Sequence, residues 1–173
     1  MSDRSSAVER LKSELFDVLV IGGGVNGAVS AAALSARGYK VAIIDRNDFA
    51  AFTSQSSSNL VWGGIKYLEN YEFFLVNKLC RSRNVLLESF PSMIKEIRFF
   101  VPIERGVKFK HSIPALMAGT WLYWSIGRGF TKTPRFLRKS TLSAEEKHIK
   151  QGQFAGGVEY SDAYLLEHDS RFV

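Results

Sequence analysis

Gly22-Gly-Gly-Val-Asn-Gly27 is the stretch that most restricts what this chain can fold into. It follows Phe16-Asp-Val-Leu-Val-Ile21, where Val18 to Ile21 form an unbroken apolar run that reads as a buried strand. Gly22, Gly24 and Gly27 have G-x-G-x-x-G spacing. The first glycine permits a tight turn, the second lets backbone approach a pyrophosphate, and the third allows a helix to lie close to the strand. N–H groups at the start of that helix favour phosphate oxygens. Ala28 to Arg37, rich in small side chains, continues the helix; Gly38 ends it, and Tyr39 to Asp45 reads as a second strand closing on an acid. A carboxylate about 20 residues beyond the first glycine is where a dinucleotide site holds the adenosine ribose. The spacing therefore predicts an α/β fold of Rossmann type. Asp45 argues against a phosphorylated ribose, because two negative charges would meet.

This unit leaves the dinucleotide open between FAD and a nicotinamide, since both carry adenosine diphosphate. A nicotinamide domain would continue with another helix and a regular third strand. Instead, Asn47 to Asn59 contains Thr53, Ser54, Gln55, Ser56, Ser57, Ser58 and Asn59, with little periodicity. Small hydroxyls and amides can wrap a phosphate and a ribityl chain without crowding. Gly63-Gly64 would then let the backbone pass close to a flat ring. An exposed flexible loop is the alternative, and it explains neither the paired glycines nor the apolar residues around them.

Composition excludes other chemistries. Cys80 is the single cysteine of 173 residues, which rules out an internal disulfide and any cysteine cluster for zinc or iron–sulfur. His111, His148 and His168 show no metal-ligand spacing, and no Ser-His pair is evident. The charged N-terminus lacks the apolar core of a signal peptide; Ser6-x-x-Glu9 predicts a capped helix carrying Val8, Leu11 and Leu15. No run of eighteen apolar residues is present, so no span of a bilayer is expected. The formal charge is +6, concentrated between Arg105 and Lys150. A solvated face, a membrane-facing surface and a field for an anionic substrate all fit that charge. A nucleic-acid module fits least, because no basic recognition element accompanies it.

Downstream, Tyr71, Phe74, Leu75, Leu79, Leu86 and Phe90 recur at helical spacing, and Pro91 stops the pattern. On that helix Arg81 and Arg83 are expected to face solvent and Cys80 to be inert packing. Ile97-Arg-Phe-Phe-Val-Pro102 reads as a strand. Pro114 to Ile126 reads as an apolar helix, either packed in a core or seated at a membrane surface through Trp121, Tyr123 and Trp124 beside Arg128 and Lys132. Thr141 to Glu146 reads as a helix start, and Gly157 to Tyr160 as a turn entering a strand.

DVLVIGGGVNGA followed by RNDFAAFTSQSSSNLVWGGIKYLE resembles the flavin-dependent glycerol-3-phosphate dehydrogenases. The likeness continues through Tyr71 to Asn77, Leu86 to Pro91, Gly157 to Asp162 and, less neatly, Asp169 to Val173, and is weakest from Arg105 to Gly152. It implies a glutathione-reductase-like FAD-binding fold, here incomplete, joined to the start of a substrate or cap domain. The implied organisation is a helical extension over 1–15, the N-terminal part of the FAD domain over 16–96, the beginning of the substrate domain over 97–156, and a return segment over 157–173. Family chains are considerably longer, so this chain is expected to represent only part of such an enzyme.

Carried over residue by residue, the resemblance places Gly22, Gly24, Asn26 and Gly27 at the pyrophosphate and Asp45 at the ribose. Thr53, Ser54, Ser57, Ser58, Asn59 and Leu60 come to the flavin side, together with Trp62, Gly63 and Gly64. Lys66 takes the place of an arginine that holds the substrate phosphate. Three positions depart from the family pattern: Asn59 stands for lysine, Trp62 for histidine, and Lys66 for arginine, which keeps the charge but loses the bidentate fork. The chain also has extra sequence between Asp162 and Asp169.

The implied activity is that of an FAD-dependent dehydrogenase. It oxidises glycerol 3-phosphate, or a similar small phosphorylated or hydroxy compound, to the ketone by hydride transfer to flavin N5. Electrons pass on to quinone. The implied setting is the cytoplasm, with peripheral contact on the inner face of the membrane, and no nucleic acid. No residue stands out as the catalytic base, and no metal is implied. A nicotinamide-linked dehydrogenase and an FAD-binding fragment inactive by itself remain the alternatives.

Overall fold

The computed structural model describes residues 3–104, 106, 112–145 and 154–166. His111, His148, His168 and the Asp169–Val173 segment lie outside the described residues. The chain divides into two compact units, one reaching to Ser58 and the other spanning Asn59–Leu166.

The first unit opens with α1, Asp3–Ser13. This helix begins before Ser6, so the Ser6–Glu9 pair lies inside it and does not cap it; Leu15, expected on its apolar face, falls beyond its end and is exposed. β1 (Val18–Ile21) and β2 (Val41–Ile44) pair in parallel, with Val18 opposite Val41 and Ile21 opposite Ile44. They are joined through α2, Val25–Ser35. The strand-turn-helix-strand order of the sequence is thus present. The complete burial expected of β1 is not: its residues alternate half-buried and exposed, and Ile21 is 80% exposed. A two-stranded ladder with one connecting helix has too little surface to cover both faces of its strands.

The second unit is organised around one long strand. β6, Phe154–Leu165, pairs antiparallel with β4, Ile94–Glu104, along almost its whole length. The other edge of β6 takes two short strands in succession: β5, Arg135–Arg138, opposite Gly156–Glu159, and β3, Leu60–Val61, opposite Ala163–Tyr164. Gly157 to Tyr160, read in sequence as a turn, therefore sits in the middle of a strand. The reason is packing: a Cβ on Gly157 would stand 3.0 Å from the Val101 carbonyl oxygen, so the glycine serves close strand approach and not a bend.

Among the described residues three α-helices and a short 3-10 helix are the other elements of this unit. The 3-10 helix runs Ile65–Asn70, α3 Phe73–Ser89 and α4 Ile113–Ile126; α5, Lys139–Glu145, follows β5. The helix expected from Tyr71 to Phe90 is present, but a different face is buried. Phe74 is 95% exposed, and Tyr71 and Phe90 are also exposed, whereas Val76, Cys80 and Arg83 are buried. Steps of four and three residues put these three on one face. Val76 and Cys80 meet Tyr123 of α4 in one apolar cluster; Ile94, Ala163 and Leu165 form another beneath Leu86 and Leu87. The expectation of inert packing for Cys80 agrees with its complete burial. On α4 one face buries Thr120 and Tyr123 while Trp121 and Leu122 remain exposed. Among the described residues no helix is long and apolar enough to cross a membrane.

Candidate functional site

The first unit builds a phosphate-sized cradle from its turn. Gly22 follows β1 with φ of 106°, and its N–H donates to the Ile44 carbonyl at 2.8 Å, tying the turn to the end of β2. Gly24 is the N-cap of α2 in extended conformation, and no side chain of its own closes the helix start. A Cβ on Gly27 would stand 1.8 Å from the Gly22 carbonyl oxygen, so only glycine lets the first turn of α2 lie this close to the strand end.

Asp45 is fixed beside that turn. Its carboxylate accepts the Gly23 N–H at 2.7 Å and the Asn47 N–H at 2.9 Å. These two backbone donors, Asn47 first, hold its pKa below the ordinary aspartate value and keep the group charged. Ser54 reaches the same place from the following loop, its hydroxyl accepting the Val25 N–H at 2.9 Å. A small hydroxyl oxygen thus sits against a first-turn N–H of α2, the kind of donor that a phosphate oxygen uses. Gly24, Asp45, Ala50, Ala51, Phe52, Thr53 and Ser54 line a cavity of about 180 Å³. Apart from Phe52 the lining consists of small side chains, one carboxylate and a helix N-terminus, the kinds of group that can hold a diphosphate and a ribose. The polar serine-rich segment, expected to be irregular, forms a series of turns from Phe49 to Ser56.

The structure therefore brings Gly22, Gly24, Asn26, Gly27, Asp45, Thr53 and Ser54 into one unit, together with Ser57 and Ser58. Asn59, Leu60, Trp62, Gly63, Gly64 and Lys66 belong to the other unit. There Asn59 is buried with φ of 57°, and its carbonyl accepts the Leu165 N–H at 2.8 Å. Trp62 packs on Tyr67 with ring centroids 5.6 Å apart. Gly64, with φ of 84°, precedes the 3-10 helix on which Lys66 is exposed.

Sequence reasoning missed what holds Gly63. Arg83, expected on a solvated face, is 2% exposed, and its guanidinium lies 2.9 Å from Asp162, which is completely buried. The same Asp162 oxygen accepts the Gly63 N–H at 3.0 Å and the Tyr123 hydroxyl at 3.0 Å. The Arg83 guanidinium also donates to the Tyr123 oxygen at 3.1 Å and to Asn84, whose amide donates to the Gly127 carbonyl. Burial pushes the Asp162 carboxyl above its ordinary value, against the opposing pull of the adjacent guanidinium and its other donors. Burial beside that carboxylate drives the Tyr123 hydroxyl far above its ordinary value, so it stays protonated and donates. The one available signal was helical spacing: Arg83 follows Val76 and Cys80 by seven and three positions, on the apolar face.

From residue 17 to residue 173 the sequence matches the family of FAD dependent oxidoreductases. The chain belongs to that family. FAD is the family's cofactor, which closes the nicotinamide alternative that the glycine turn alone left open. The chain is 39% identical over 168 residues to the glycerol-3-phosphate dehydrogenase of Pseudomonas aeruginosa, covering 93% of itself and 30% of that protein. It is 38% identical over 167 residues to the aerobic glycerol-3-phosphate dehydrogenase of Escherichia coli, covering 92% and 30%. It thus spans under a third of the length of these relatives. Among solved structures, the glycerol-3-phosphate dehydrogenase from Bacillus halodurans complexed with FAD superposes with a TM-score of 0.64 at 20% identity, over 96% of this chain and 24% of that one. The α/β fold is accordingly that of FAD-binding oxidoreductases.

Proposed function

We propose that this chain carries the FAD-holding part of a dehydrogenase acting on glycerol 3-phosphate or a similarly small phosphorylated or hydroxy substrate. The observation that carries the reading is the cradle in which Gly24, Asp45 and Ser54 converge on the start of α2. Family membership and the likeness to glycerol-3-phosphate dehydrogenases support the cofactor and substrate class.

In this reading the first turn of α2, entered through Gly24, Asn26 and Gly27, donates N–H groups to the pyrophosphate. Asp45 accepts from the ribose hydroxyls, and its lowered pKa keeps it an acceptor throughout the neutral range. Thr53, Ser54, Ser57, Ser58, Asn59 and Leu60, with Trp62, Gly63 and Gly64, line the flavin side. Lys66 offers its ammonium to the substrate phosphate, neutralising charge and orienting the carbinol carbon. FAD, when bound, supplies the hydride acceptor at N5. Transfer of electrons to quinone and peripheral membrane contact belong to the same proposal, as does a domain organisation in which residues 16–96 serve FAD and 97–156 begin the substrate part.

Purified protein should show visible flavin absorbance and release FAD on denaturation in near-equimolar amount. Reduction of the bound flavin by glycerol 3-phosphate would then be read as loss of that absorbance. Protein that carries no flavin and takes up none when FAD is added would falsify the cofactor assignment.

A further inference from the structure

A charged pair buried to this degree calls for a reason other than stability. Replacing such a pair by well-packed apolar residues is often neutral or favourable, so ion pairs in cores are weak evidence of stabilisation. The position of the Arg83–Asp162 pair supplies another reason. The pair and the side chains beside it close around one residue, Gly63. Asp162 accepts the Gly63 N–H at 3.0 Å; Cys80 Sγ lies 3.6 Å from the Gly63 carbonyl oxygen, to which it donates. A Cβ on Gly63 would stand 2.1 Å from the Tyr123 oxygen, 2.9 Å from Cys80 Sγ and 3.0 Å from Arg83 Nη1. The backbone is gripped at its donor, at its acceptor and over its α-carbon.

The grip falls at a chosen place in the chain. Gly63 stands between Trp62 and Gly64, and the left-handed Gly64 turns the chain into the 3-10 helix that carries Lys66. The four gripping side chains come from α3, α4 and β6, elements separated widely in sequence, so three distant parts of the unit meet at this single residue. Asn84 completes the arrangement by accepting from the remaining Arg83 donors and bonding to Gly127, which fixes the guanidinium plane.

We propose that Arg83, Tyr123 and Asp162 are positioning residues: by fixing the Gly63 peptide they set the placement of Trp62 and Lys66 for the bound cofactor and substrate. The functional half of this inference rests on the role given above to Lys66; the conformational half does not. Tyr123→Phe is the probe, since it removes one hydroxyl and leaves the buried pair.

Two measurements on the FAD-loaded protein test it. In hydrogen exchange, Tyr123→Phe should raise exchange in peptides covering Gly63 to Lys66 by roughly tenfold, while peptides of β4 keep their protection. Unchanged exchange, or a uniform rise across the protein, overturns the inference whatever the substrate is. In steady-state kinetics with glycerol 3-phosphate, Tyr123→Phe should raise KM several-fold with little change in kcat, and should add nothing in a Lys66→Met background. Effects that multiply in the double variant overturn the functional half. A Lys66→Met protein with unaltered KM removes Lys66 from the substrate site, a failure of the functional reading, and the exchange result still decides whether the cluster fixes the peptide.

Discussion

Asp162 and Gly63 are 99 positions apart in the chain and 3.0 Å apart in space, the buried carboxylate accepting the glycine's N–H. Arg83 neutralises that carboxylate from α3. Breaking the pair from one side leaves a buried charge without its counter-ion. Arg83→Met should therefore destabilise the second unit by about 3–5 kcal/mol, read by denaturant unfolding. Arg83→Met combined with Asp162→Leu should cost less than Asp162-bearing Arg83→Met alone, because the double change removes both charges. A double variant worse than the single would count against this account.

Gly27→Ala tests the close approach in the first unit. The added methyl would meet the Gly22 carbonyl, backbone that cannot swing aside. Expected is a displacement of α2 costing about 1–3 kcal/mol or more, and loss of flavin from the purified protein. Flavin content by absorbance, beside a thermal melt, separates the two effects. An alanine variant that retains full flavin would remove Gly27 from the cradle.

Glu159 predicts how the sheet responds to acid. Arg98 foremost, and Arg135 beside it, hold its pKa at about 2 against an ordinary 4.5. A depressed carboxylate contributes stability that is fully present above its unfolded pKa and is lost as pH falls through the folded value. The contribution should thus be intact above pH 4.5 and disappear between there and about 2. Glu159→Gln should flatten the melting temperature across that window while lowering it at neutral pH. An unchanged slope would show that Glu159 does not govern the transition.

Lys66 is exposed, and its proposed task is charge pairing with a phosphate. Lys66→Met should raise KM for glycerol 3-phosphate roughly 10- to 100-fold, the scale of one charge-assisted hydrogen bond. Lys66→Arg should retain low KM, since arginine offers a second donor to the phosphate. The same pair of variants assayed with an unphosphorylated alcohol should show little difference.

The glycine turn, Asp45 and the serine-rich stretch were legible because each depends on short-range spacing. The strand that leads into Gly22, the turn itself and the acid after β2 obey a local steric rule, and the chain writes such rules within a few dozen residues. Arg83 was not legible. A charged residue on a helix ordinarily lies in water, and its partner Asp162 is 79 positions away, on a strand whose glycines read as a turn. The helix pattern misled in the same way: large aromatic side chains at 71, 74 and 90 outweighed the smaller Val76 and Cys80, although the latter are the ones in the core. Gly63 was expected to let the backbone pass close to a flat ring. The structure shows Tyr123, Cys80 and Arg83 as neighbours within the chain itself, where sequence reasoning looked only toward a flat ring.

The dominance of β6 bears on how such a chain comes off the ribosome. Among the described residues β3, β4 and β5 form ladders only with β6, the strand made after all of them. Asp162, the anchor for Gly63, also lies on it. During synthesis the earlier strands must wait with their edges unpaired until residue 165 has cleared the exit tunnel. Helix α3 can form in the interval, carrying a guanidinium whose counter-ion has not yet been made. The second unit should consequently be most dependent on chaperones in that interval, and a nascent chain arrested before β6 should be far more sensitive to protease than one released just after it.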